Sequence, residues 1–357
     1  MKILVIRLSA LGDLIHTLPA VNALKDRWPE AEITWAVETA AAPLLDGHPA
    51  LSRVIVSRRK AWLDAVRSGD RRASADALRE MTRFIRTLRS TRYDLVIDFQ
   101  HLLKSGVLAG LARGRVKAGF GPGLDHTEGS YWFLNHHVPA VSMEIHALTR
   151  NLILSDALGA PADRVRYRLP ITADHRRRAA QLLGVPENRS LVAIHPAARW
   201  SSKRWPEDRF AALADTLIDR HGVTVAFTGS AADRTSVDRT ISGMRHPAVN
   251  LAGRTGLLEL AAVFKRARGV IATDTGPMHL AAAVDTPVVA LFGPTAPWRT
   301  GPFGPGHRVV RAGLPCGPCF RRRCPFGPEP ACMDRICVAD VAEAISRTPW
   351  VKSLERP

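Results

Sequence analysis

The residue types best suited to chemistry stand just after apolar runs. In residues 270–295, VIATDTGPMHLAAAVDTPVVALFGPT, an apolar strand leads into Asp274, Thr275 and Gly276. Asp274 and Thr275 are helix-capping types, Gly276 permits close backbone approach, and Pro277 suits a first helical turn. A small-residue helix from His279 follows, then a second strand, VVALFG. A helix N-terminus at the carboxyl end of a strand offers free N–H groups and partial positive charge, enough to hold a phosphate. An ordinary β-α-β turn has the same spacing. Asp13 follows the first apolar run, KILVIRL, near another helix start. A carboxylate there is favoured in its charged form and can accept a proton from a hydroxyl, or merely cap the helix. In HPAARWSSKRW, residues 195–205, Lys203 can reach a diphosphate as a point charge, and Ser201 and Ser202 can donate hydrogen bonds. Arg58, Arg59, Lys60 and Trp62 form a basic, aromatic cluster, and Lys104 follows the run DLVIDF. These suit an anionic acceptor or a solvated face.

All five cysteines lie within residues 316–337: Cys316, Cys319, Cys324, Cys332 and Cys337. Cys316-Gly-Pro-Cys319 has the spacing of half a zinc site, but the other spacings supply no standard second half. The expectation is a compact Cys-rich loop of buried, reduced thiols.

The elements that must position these residues alternate between strand and helix. A strand over residues 2–8, a loop over 9–13 and an apolar-periodic helix to about Arg27 open the chain, with Pro19 implying a kink or a late helix start. Strands follow at 32–37, 53–56, 94–99 and 116–120, with helices at 73–89, 102–111 and 144–158; residues 121–137 read as irregular. Residues 160–190 read as a connection. A second α/β series starts at Leu191, with strands at 191–196, 223–229 and near Val249, and helices at 206–220, 231–242 and 257–266. The expectation is an α/β fold of two doubly wound domains, residues 1–170 and 171–357, with ligands at the carboxyl ends of strands in a cleft between them. The first loop lacks the GxGxxG spacing, so no dinucleotide fingerprint is read there.

The formal net charge of +17 calls for an anionic partner: nucleic acid, an acidic membrane surface or a phosphorylated ligand. The arginines are spread along the chain, which favours a basic face over a nucleic-acid-binding tail. No apolar run is long enough to span a bilayer, and Arg7 and Asp13 interrupt the first one, unlike a signal peptide. A cytoplasmic protein is expected.

Taken together, RLSALGDLIHTLPAVNAL, DLVIDFQHLLKSG, KRWPEDRF and DTGPMHLAAAVDTPVVALFGPT resemble glycosyltransferase family 9, the heptosyltransferases of lipopolysaccharide core assembly. WAVETA and SRRKAW look most like the branch that adds the first heptose to Kdo-lipid A, whereas PCGPCFRRRCP and ACMDRI look more like second-heptose enzymes and other branches. The resemblance implies GT-B architecture: two Rossmann-like domains facing a cleft, the acceptor in the first and the nucleotide sugar in the second. It implies inversion at the anomeric centre with no metal or other cofactor. By position, Asp13 matches the general base. Lys203 matches the lysine on the donor's phosphate-sugar part. Asp274, Thr275, Gly276, Met278 and His279 fall in the donor loop, Ser202 in the preceding donor segment, and Thr255 at an adenosine contact. Arg59, Lys60 and Lys104 fall on the acceptor side. Ala197 and Ala198 stand where some members carry hydroxyls, leaving backbone N–H groups or Ser201 and Ser202 to serve. The acid that holds the donor ribose is expected near Ala231, where the nearest candidate is Asp233.

The implied donor is ADP-heptose and the implied acceptor Kdo-lipid A or lipopolysaccharide core. The implied place is the anionic cytoplasmic face of the inner membrane, with no nucleic acid. Two other readings stand beside this one: a family 9 transferase acting on a later sugar, and a basic nucleic-acid-binding protein with a Cys-rich metal module, though no nucleic-acid motif is visible.

Overall fold

The computed structural model describes residues 1–125, 128–327, 330–348 and 351. The chain divides into two compact units, Met1–Pro170 and Ile171–Pro357.

Strands of the first unit are β1 (Lys2–Ile6), β2 (Glu32–Glu38), β3 (Arg53–Ser57), β4 (Arg92–Asp98), β5 (Arg113–Phe120) and β6 (His136–Val138). They form one sheet in the order β3-β2-β1-β4-β5-β6, parallel throughout. The apolar runs are continuous because both faces of a parallel sheet are covered; β1 is buried from Ile3 to Ile6. Helices α1 (Leu11–Arg27), α2 (Arg59–Arg67), α3 (Arg71–Arg89), α4 (Leu103–Leu111) and α5 (Ala147–Ala157) cover it. One face of the sheet carries a core of Leu4, Ile6, Trp62, Phe84, Leu88 and Val96.

The second unit starts with helix α6 (Ala173–Leu183). Its strands are β7 (Leu191–His195), β8 (Thr224–Phe227), β9 (Val249–Asn250), β10 (Gly269–Thr273), β11 (Val288–Leu291) and β12 (Arg308–Val310). Their order is β12-β11-β10-β7-β8-β9, again parallel. Helices α7 (Glu207–His221), α8 (Arg234–Ser242), α9 (Leu257–Arg266) and α10 (Gly276–Ala283) accompany the sheet. Val192, Ile194, Phe210, Val225, Phe227 and Ile271 anchor its core.

Both sheets therefore repeat the doubly wound order 3-2-1-4-5-6. In such a sheet ligands bind beyond the carboxyl ends of the strands where the winding reverses. Those points are β1/β4 in the first unit and β7/β10 in the second.

Several boundaries differ from the sequence expectation. Pro19 lies inside α1, which starts at Leu11 and runs unbroken, so there is no late start. Proline leaves the Ile15 carbonyl without its helical N–H partner, and burial of residues 14–24 on the core outweighs that loss. Arg59 and Lys60 open a helix, α2, that the basic composition concealed. The connection 160–190 contains α6, capped by Thr172, whose hydroxyl accepts from the His175 N–H. The irregular segment 121–137 holds a 3-10 turn, Ser130–Phe133, and the start of β6. Among the described residues, no helix is long and apolar enough to cross a membrane.

Candidate active site

In the first unit the switch point gathers a network of charged and polar groups. Leaving β1, the chain places Arg7, Ser9 and Asp13 in a short span, with Asp13 at the third position of α1. One Asp13 oxygen pairs with Arg7 at 3.0 Å, and the other accepts the Ala10 N–H at 3.2 Å. The Asp13 side chain remains 39% exposed, whereas that of Arg7 is 11% exposed. Arg7 also donates to the Phe99 carbonyl at the end of β4. The carboxylate is thus oriented on one side and open to a hydroxyl on the other.

From β4, Gln100 accepts the Leu8 N–H at 2.7 Å and donates to the Ser9 carbonyl at 3.1 Å. Lys104, in the first turn of α4, donates to the Ser9 hydroxyl at 2.9 Å and pairs with Glu38 at 3.4 Å. The structure therefore brings Lys104 beside the loop that carries Asp13. Lys60 lines a cavity of about 310 Å³ together with Glu38, the partner of Lys104. Arg59 is exposed at the start of α2. Arg58 pairs with Glu80 at 2.8 Å, and Glu80 also accepts from the Trp62 ring N–H at 2.8 Å, so those two residues of the basic cluster pin α2 to α3.

Sequence reading passed over Arg7, Gln100 and Asp98. Asp98 is fully buried and accepts from the Gln100 N–H, the His101 N–H and the Ser105 hydroxyl. Burial pushes its pKa up to about 6 against those hydrogen bonds. Asp98 shapes the loop that presents Gln100 and Lys104. The available signal was the pair of polar residues directly after a strand.

In the second unit, α10 starts at Gly276 with Thr275 as its N-cap. Asp274 does not cap it. It is 6% exposed and pairs with Lys203 at 2.5 Å, while the Thr295 hydroxyl donates to the same carboxylate oxygen at 2.6 Å. Lys203 also donates to the Asp274 carbonyl at 3.3 Å and lies 4.5 Å from the centre of the Trp200 ring. Thr275 turns its hydroxyl back onto the Thr273 carbonyl at 3.2 Å. The result is a charged turn at the β7/β10 switch point, with the N-terminus of a helix beside it.

Two sequence-predicted donor contacts change character. Met278 has no exposed surface, and its backbone N–H bonds to the Thr275 carbonyl, because this face of α10 packs on the core. Ser202 is 3% exposed, and its hydroxyl donates to the Arg321 carbonyl at 2.7 Å. Its function is to tie residues 201–203 to the Cys-rich loop; Ser201 does the same through the Arg322 carbonyl at 3.3 Å. His279 is buried in the first turns of α10. Thr255 is half-buried in the loop before α9. Asp233 turns onto Ser230, accepting its N–H at 2.8 Å and its hydroxyl at 2.5 Å. His195, at the end of β7, meets the Thr228 hydroxyl at 2.9 Å, and burial lowers its pKa to about 4.

The five cysteines are free, but none is fully buried: Cys316 and Cys337 are exposed, and the other three are half-buried. The loop around them is held by backbone hydrogen bonds, such as the Phe320 N–H to the Pro294 carbonyl, and leaves a cavity of about 230 Å³ lined by Ser202, Cys316, Cys319, Cys324 and Cys332. Burial raises the Cys332 thiol pKa, and the neighbouring Cys319 adds to the effect. Among the described residues, no three or more His, Cys, Asp or Glu side chains stand together as a metal-holding group.

Residues 81–329 match the sequence profile of glycosyltransferase family 9 (heptosyltransferase). The chain is 34% identical to lipopolysaccharide heptosyltransferase 1 of Pseudomonas aeruginosa over 92% of this chain and 88% of that one. It is 30% identical to lipopolysaccharide heptosyltransferase 3 of Escherichia coli over 80% of each. The fold is similar to that of E. coli heptosyltransferase WaaC solved with ADP, with a TM-score of 0.78 and 26% identity over 97% of this chain and 99% of that one. The tandem doubly wound units are those of the GT-B architecture, as the sequence resemblance implied.

Proposed function

The chain belongs to glycosyltransferase family 9 and is a glycosyltransferase, and from that premise we propose that it transfers heptose from ADP-heptose to the Kdo-lipid A inner core with inversion. Asp13 carries the reading. Its carboxylate is fixed by Arg7 and the Ala10 N–H yet stays open to an incoming hydroxyl. It takes the acceptor proton as that oxygen attacks the anomeric carbon on the face opposite the leaving diphosphate. Lys203 and the N-terminus of α10 stabilise the charge gathering on that diphosphate. In the free protein the Lys203 charge is already offset by Asp274, so the donor shares the lysine with this carboxylate. Lys104 and Lys60 flank Glu38 on the acceptor side.

Under this reading the acceptor is an anionic lipid. The positive charge suits the anionic cytoplasmic leaflet of the inner membrane. A heptose-bearing core is the second acceptor to weigh, favoured by the Cys-rich loop and by the likeness to lipopolysaccharide heptosyltransferase 3.

The test is ADP release from ADP-heptose on Kdo-lipid A and on heptose-bearing core in parallel, with Asp13→Ala and Asp13→Asn as controls. General-base loss should cut kcat by about 10²–10⁴. Asn retains a partner for the buried Arg7, so loss in both variants with donor affinity intact supports the base. Turnover only on heptose-bearing core moves the enzyme to a later step. Silence of the wild-type protein on both acceptors overturns the substrate assignment.

A further inference from the structure

A helix that packs on a sheet needs one apolar stripe. The apolar face of the α2–α3 hairpin is wider than the part the core covers. Trp62, Ala77, Phe84 and Leu88 are buried against the first unit's core. At the edge of that face Leu63 and Val66 on α2 and Leu78 and Met81 on α3 stand exposed, Val66 one turn from Trp62 and Met81 one turn from Ala77. Val66 and Leu78 are the most open, at 51% and 52%. With Val56, these make five of the thirteen exposed large apolar side chains among the described residues, within a span of 26 positions. Folding of this unit does not account for them.

The same hairpin is strongly basic. Residues 59–89 hold nine Lys or Arg against four Asp or Glu. Three of the four acids are engaged locally: Asp70 caps α3, Asp76 pairs with Arg79, and Glu80 holds Arg58 and Trp62. Arg67, Arg71, Arg72, Arg83 and Arg86 remain exposed. Exposed apolar side chains among arginines fit the headgroup zone of a bilayer, where the chains dip into the acyl boundary and the guanidinium groups meet lipid phosphates.

We infer that the α2–α3 hairpin is a docking surface for an anionic phospholipid bilayer. This deepens the functional reading, because it would hold the first unit on the leaflet that carries a lipid-linked acceptor. It does not use Asp13, Lys60 or Lys104. Arg59 begins α2, so docking would set the acceptor-side end of the hairpin close to the headgroups.

The experiment is flotation of the full chain on phosphatidylcholine vesicles with and without phosphatidylglycerol. Two variants separate the contributions: Leu78→Ser with Met81→Ser removes apolar surface, and Arg71→Gln with Arg72→Gln removes charge. All four positions are exposed, and melting temperature checks the fold. Wild type should float only on the anionic vesicles, and less so as salt rises. One basic residue near such a surface is worth about five-fold in partitioning, so the double Arg variant should lose about 25-fold. The apolar variant should also lose about ten-fold. Turnover on an acceptor stripped of its acyl chains should stay unchanged in both. Equal flotation on both vesicle types, or variants that float like wild type, overturns the inference. So does a concentration-dependent dimer that the apolar variant abolishes, since a second copy would then cover the face. Normal flotation by a protein that transfers no heptose would instead spare the docking surface and sink the functional reading.

Discussion

At the scale of single residues, Lys203 and Asp274 show how much a charged side chain's value depends on its partner. They form a mostly buried pair, further bonded by Thr295. Breaking such a pair by removing one member leaves an uncompensated charge, at a cost of about 3–5 kcal/mol. Lys203→Ala should therefore lower the melting temperature as well as raise the KM for donor and slow turnover. A change in KM with an unchanged melting curve would show that the pair contributes little to stability. His195 makes a different test. Its folded pKa of about 4 lies below its ordinary value of 6.5. Between those values the unfolded chain takes up a proton that the folded chain refuses. The stability contribution is therefore complete above pH 6.5 and is lost as pH falls toward 4. From pH 7 to pH 5 this amounts to about 2 kcal/mol. His195→Asn should remove that part of the slope, read as a smaller shift in the urea midpoint between the two pH values. A slope equal to that of wild type would assign the pH dependence to other groups.

At the scale of elements, α4 positions Lys104 by lying very close to the 3-10 turn Ser130–Phe133. A Cβ added at Gly106 would stand 2.8 Å from the Ser130 Cα and carbonyl oxygen, both backbone atoms with little room to yield. Gly106→Ala should displace α4 and cost about 1–3 kcal/mol by overpacking. Because Lys104 sits two residues before Gly106 in α4, the KM for acceptor should rise while that for donor holds. Measuring both constants beside the melting temperature separates this from general destabilisation. In the second unit, residues 201–203 are positioned by a segment far along the chain. Ser201 and Ser202 bond to carbonyls of Arg322 and Arg321, so the Cys-rich loop braces the turn that carries Lys203.

At the scale of the molecule, each unit has its own six-stranded sheet and its own apolar core. A segment with a complete sheet and a buried core meets the requirements for folding alone. Residues 171–357 expressed by themselves should fold cooperatively and bind ADP within about ten-fold of the full chain, with no transfer activity. Calorimetric titration with ADP checks the prediction; failure of a folded fragment to bind would place part of the donor site in the first unit. The positive charge is likewise a property of the molecule more than of one motif. Its concentration on the α2–α3 hairpin, together with apolar side chains the core leaves exposed, is what points to a surface function.

The sequence alone determined the α/β class and the alternation of elements, because buried parallel strands must be nearly continuous apolar runs. It also marked Asp13, Lys104, Lys203 and Asp274, since polar residues in the segments that follow a buried strand lie where such sheets expose their carboxyl edge. The tertiary structure alone decided what those residues face. Ser202 is committed to a carbonyl 119 positions away, Arg7 grips Asp13 while bonding to Phe99 across the sheet, and Met278 is lost to the core. None of this follows from local spacing, because hydrogen bonds and burial are set by which distant backbone arrives at a position. The composition of residues 59–89 likewise concealed the start of α2 and the division of its apolar side chains between core and surface. Only the packing of the hairpin on the sheet shows which apolar side chains are already covered.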